Sequence, residues 1–107
     1  MGWDALDSCE IFSLETGEWA MLPKMKKKRD GYPATIVFEH GASHRIVVFG
    51  GHDGSSSLYC SEYYDIGGNE WTLIEAKMAM SHMSSAAALF DSTSAVICGG
   101  LGDYNQS

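Results

Sequence analysis

The chain has 107 residues, 45% of them apolar and 20% charged, a balance that argues against disorder and fits one small globular unit. No run approaches the ~20 apolar residues of a membrane-spanning helix, and the start Met1-Gly2-Trp3-Asp4-Ala5-Leu6 lacks the basic and apolar regions of a secretory signal. Net charge is −7, which sets most of the surface against nucleic acid. Five of the seven basic residues, Lys24, Lys26, Lys27, Lys28 and Arg29, nevertheless crowd into six positions.

In chain order, Glu10 to Leu14 alternates in polarity and ends at a glycine turn, which predicts a strand. Trp19 to Leu22 predicts a second, exposed strand stopped by Pro23, and the basic loop from Pro23 to Gly31 follows. Ala34 to Phe38 and Arg45 to Phe49 are short branched apolar runs, expected of buried strands, and the second stops at Gly50-Gly51. Beyond the polar loop from Gly51 to Ser57, strands are predicted over Cys60 to Ile66 and Trp71 to Ile74. Ser85 to Phe90 and Ala95 to Cys98 then repeat the buried pair and stop at Gly99-Gly100.

The order of these elements is a repeat. Residues 10–19, with Glu10, Phe12, Gly17, Glu18 and Trp19, lie over residues 62–71, so that Trp19 meets Trp71 at an offset of 52. Gly50-Gly51 lies over Gly99-Gly100 at an offset of 49, the difference falling in a shortened turn. Four strands in ~50 residues, marked by glycine and aromatics, predict an all-β propeller blade. Paired glycines suit a turn where Cβ atoms would meet packed neighbours, and the tryptophans suit burial between blades. Both Trp19 and Trp71 are therefore expected in equivalent, buried positions.

These residues resemble the kelch repeat family over both periods. The family pattern is seen in Gly50-Gly51, Tyr64-Asp65, Trp71 and Met78, and in Phe12, Trp19, Met25 and Arg29. Phe12 stands for the usual tyrosine, and Ser81 or His82 for the second arginine. The resemblance implies a kelch β-propeller of four-stranded antiparallel blades. This chain would supply one full blade and two half-blades, as two repeats at about 1–51 and 52–107. It would be an excerpt of a longer propeller, or one of three copies in a homotrimer that closes a six-bladed ring. Unpaired half-blade edges make a stable isolated monomer unexpected.

The function implied is that of a protein–protein interaction module. It would recognise substrate in a ubiquitin-ligase adaptor and hold an acidic or phosphorylated peptide on one propeller face. A sugar-binding enzyme of the sialic acid mutarotase type is the alternative. No nucleophile–base pair is spaced for catalysis, so the chain is read as not an enzyme. Cys9, Cys60 and Cys98 form no C-x-x-C pair, and His40, His44, His52 and His82 complete no ligand set. No metal or other cofactor is expected, and free thiols fit the cytoplasm.

The candidate ligand-binding residues follow from loop position. Lys26, Lys27, Lys28 and Arg29 offer cations for carboxylate or phosphate, the guanidinium through a two-pronged grip. His52, Asp53, Ser55 and Tyr104 lie in loops expected to open on the same face, and His82 takes the place of the missing arginine as a pH-sensitive grip. Partners are thus expected to be acidic proteins, without nucleic acid or membrane.

Overall fold

The computed structural model describes residues 4–31, 33–81 and 86–100. All its regular elements are strands: β1 (Cys9–Ser13), β2 (Glu18–Leu22), β3 (Ala34–His40), β4 (Ser43–Phe49), β5 (Ser61–Asp65), β6 (Glu70–Leu73), β7 (Ala86–Asp91) and β8 (Ser94–Cys98). They form three antiparallel sheets in the orders β1-β2, β3-β4-β5-β6 and β7-β8. The fold is all-β, one four-stranded antiparallel sheet flanked by two two-stranded sheets, the arrangement expected of one full blade and two half-blades. Each predicted strand is present, with ends displaced by one or two residues.

The repeat extends to backbone angles. Gly17 has φ 74° and its counterpart Asn69 has φ 55°, and each amide donates to the carbonyl four residues back, Ser13 or Asp65, at 2.8 Å. Asparagine tolerates this left-handed conformation better than other side chains, and here its Oδ1 also accepts from the Tyr64 hydroxyl at 2.7 Å. Gly67 and Gly68 lie in the same turn, yet the left-handed position is Asn69.

Gly50-Gly51 and Gly99-Gly100 likewise repeat, with φ 67° and 94° against 64° and 85°. At Gly51 a second constraint acts: a Cβ would lie 2.7 Å from the Asp30 carbonyl oxygen and 3.1 Å from the Pro33 side chain. The reason is the exchange of two hydrogen bonds between Asp30 and His52, both 2.8 Å, which draws the incoming loop over the turn. Gly51→Ala is expected to cost about 1–3 kcal/mol from backbone strain alone. A lowered urea midpoint for this variant checks it.

The core gathers on the blade face turned toward β1-β2. Val48, Tyr64 and Trp71 form its centre, and Cys9, Leu22, Met25 and Ile46 pack around them. Cross-strand pairing places Phe12 opposite Trp19 and Tyr64 opposite Trp71. The rings meet at 4.9 and 5.5 Å, each pair tilted by 45°. The two tryptophans are thus equivalent in register, as the 52-residue offset requires.

Their burial differs, which corrects the expectation for Trp19. Trp71 is 3% exposed, whereas Trp19 is 65% exposed. Trp71 lies beneath the segment leaving β2, where its Nε1 donates to the Pro23 carbonyl at 2.8 Å. Among the described residues, no segment covers Trp19 in the way that the one leaving β2 covers Trp71.

Candidate functional site

The basic loop leaves β2 at Pro23 and is tied on both sides. The Met25 amide donates to Asp7 at 2.8 Å and the Arg29 amide to Leu6 at 2.9 Å, while Asp30 pairs with His52 of the blade. These bonds give the loop a fixed course between two sheets. Lys24, Lys26, Lys27 and Lys28 are exposed along it, and Arg29 is buried.

Arg29 meets Glu62 of β5 with both side chains fully buried. Its Nε and one terminal nitrogen donate to Glu62 Oε2 at 3.2 and 3.0 Å. The other terminal nitrogen donates to the carbonyls of Gly50 and Cys60 at 2.8 and 2.9 Å. The amides of Lys26 and Lys27 complete the carboxylate's shell at 2.7 and 3.1 Å. A planar guanidinium can serve three acceptors at once because its donors diverge in a fixed fork. The arrangement binds the loop, the end of β4 and the start of β5 to one another.

This corrects the assignment of Arg29 to the ligand-binding set. Its donors are directed into the protein, and none faces a peptide on the surface. Glu62 was the residue the sequence reading passed over. Its signal is the recurring glutamate two positions before the aromatic, Glu10 and Glu62.

The loop after Gly51 contains His52, Asp53 and Ser55, brought beside the basic loop by the Asp30–His52 pairing. Asp53 and Ser55 are exposed and His52 is partly so. Asp53 Oδ1 accepts from the amides of Ser55 and Ser56 at 2.8 and 3.0 Å, and His52 Nδ1 from Gly54 at 3.0 Å. Asp53 thus shapes the turn, as short polar side chains commonly do. The Ser56 and Ser55 amides hold its carboxyl below the usual aspartate range.

Because that value is depressed in the folded loop, its contribution is present above the ordinary aspartate value and is lost as pH falls through the depressed one. The Ser55 and Ser56 amide resonances should therefore titrate together in acid, and Asp53→Asn should abolish that titration. Burial, then Glu62 and Asp7, raise the Cys9 thiol, which favours its neutral form.

A groove of about 510 Å³ opens where the two loops meet, lined among others by Lys27, Ser56, Tyr59, Leu73 and Lys77. Lysines thus stand at an apolar floor. His82 and Tyr104 lie outside the described residues. Among the described residues, no three His, Cys, Asp or Glu side chains are grouped to hold a metal ion, and no helix is long and apolar enough to cross a membrane.

Residues 43–77, from β4 through β6 and the turn beyond, match the family model for the Kelch motif. Kelch-like protein 7 of Rattus norvegicus and that of Mus musculus are each 33% identical to this chain over 69 residues. The match covers 64% of this chain and 11% of theirs, so the chain spans a small part of these relatives. Residues 43–77 thus carry a Kelch motif, set across β4 to β6 of the four-stranded sheet, and over 69 residues the chain is similar to these kelch-like proteins.

Proposed function

We propose that the chain is a non-enzymatic protein-interaction module that holds an acidic or phosphorylated segment of a partner over the basic loop. The supporting observation is the exposed run Lys26-Lys27-Lys28, set beside the His52–Ser56 loop on a chain of net charge −7. A surface loop needed only for solubility has no reason to oppose the sign of its surroundings. Hydrogen bonds from the Lys26 and Lys27 amides fix the backbone, so the ammonium groups are presented from a preorganised base. Arg29 contributes by shaping the loop.

The wider role we assign is substrate recognition in a cytoplasmic ubiquitin-ligase adaptor, in keeping with the kelch resemblance. The two repeats, about 1–51 and 52–107, then act as sectors of a propeller, completed either by more chain or by three copies in a ring. Peptide titration at two salt concentrations tests the binding. Phosphorylated or Asp/Glu-rich peptides should bind more weakly as salt rises, and neutral analogues should not bind. Each single Lys→Ala change at positions 26–28 should cost only about 0.2–1 kcal/mol, as exposed pairs do.

A further inference from the structure

The sheet face that forms the core does not end where burial ends. In β6, Trp71 and Leu73 share one face because side chains alternate along a strand, yet Trp71 is 3% exposed and Leu73 is 42% exposed. Leu73 pairs with Glu62 of β5, which puts it on the face that carries the buried Arg29–Glu62 ion pair. The apolar face therefore continues past Trp71 and emerges into solvent beside the basic loop.

The groove of about 510 Å³ lies at this exit. Its apolar lining includes Leu58, Tyr59 and Leu73, with Leu58 buried and Tyr59 38% exposed. Lys27 and Lys77 line it from two separate turns, against the one carboxylate of Glu75 among the lining residues. The Lys27 amide is held by Glu62 at 3.1 Å, and the turn carrying Lys77 is held where the Met78 amide donates to the Tyr59 carbonyl at 3.0 Å. Both cations thus rise from a fixed backbone, while their aliphatic stems can lie along the apolar lining.

An occupant has to answer both properties at once. A wholly acidic segment would set charge against Leu73 and Tyr59. A wholly apolar one would take water from two ammonium groups and replace it with nothing. An anion with a large apolar neighbour avoids both costs, and the excess of cations over the Glu75 carboxylate favours it.

We propose that the groove takes a partner segment in which a phosphorylated or acidic residue stands next to an apolar residue the size of leucine. The apolar side chain lies on Leu73 and Tyr59, and the anion lies between Lys27 and Lys77. The proposal rests on the reading that the basic loop holds an acidic segment, and it adds the apolar half of what is recognised. It also sets Lys27 apart from Lys26 and Lys28, because of these three only Lys27 lines the groove.

The test is fluorescence anisotropy on the 107-residue chain with two labelled peptides. Each carries one phosphoserine in a background of Gly and Ser, flanked by Leu in the first and by Ala in the second. The Leu peptide is expected to bind about tenfold more tightly, through the apolar area it buries. This comparison on the parent needs no variant to fold. Leu73→Ser should bring the two peptides within about twofold of each other. Leu14→Ser, at a 91% exposed position outside the groove, should leave the ratio unchanged. Lys77→Ser should weaken both peptides by about twofold to fivefold and keep their ratio. Equal, salt-sensitive binding of the two peptides would overturn the groove while leaving the basic loop as an anion site. A tenfold ratio that survives Leu73→Ser would place the leucine elsewhere and overturn it as well. No binding of either peptide would overturn both the groove and the reading beneath it.

Discussion

Arg29→Ala is expected to destabilise the fold by about 3–5 kcal/mol, the usual cost of stranding one member of a buried ion pair. Glu62 would remain in the interior with only the Lys26 and Lys27 amides as partners, and the Gly50 and Cys60 carbonyls would lose their side-chain donor. Arg29→Lys should rescue only part of the loss, because one ammonium cannot reproduce the diverging fork. Replacing Arg29 and Glu62 together by apolar residues should cost less than Arg29→Ala alone, since no stranded charge remains. Urea unfolding of the three variants checks the order. An Arg29→Ala chain as stable as the parent, but weaker for peptide, would return Arg29 to the binding surface.

The second large effect separates two tryptophans that the sequence makes equivalent. Trp71→Ala should cost about 3–5 kcal/mol, as loss of a buried aromatic does, with the orphaned Pro23 carbonyl adding to the loss. Trp19→Ala should cost under about 1 kcal/mol in the isolated chain, because its ring is mostly in solvent. Thermal melts of both variants, taken at low protein concentration, provide the comparison. Equal losses would mean that Trp19 is covered in the isolated chain.

The strand order was legible because it rests on local signals: short apolar runs, glycine turns and a 52-residue recurrence of Glu, aromatic and Glu-Trp. The register, with Phe12 opposite Trp19, came from the structure, where the turn at Gly17 sets it. Burial was not legible either. Whether Trp19 is covered depends on a neighbouring sheet, which lies outside the periodic pattern. Arg29 shows a related limit. In sequence it is the last of five cations and resembles the lysines before it. Only the crossing of β5, 33 residues further on, reveals a carboxylate waiting beneath the loop. Asp53 is a milder case, a turn-forming side chain whose polar look also suited a ligand contact.

On the proposed function, the exposed lysines and the buried arginine divide the work of one loop, the first meeting the partner and the second holding the sheet together. Fluorescence anisotropy with a phosphorylated acidic peptide tests this division most directly, comparing the parent with a variant carrying Lys26→Ser, Lys27→Ser and Lys28→Ser together. The expected result is an affinity about tenfold lower at low salt, with the melting transition unchanged. Binding by the variant as tight as that of the parent, or no binding by either, would contradict it.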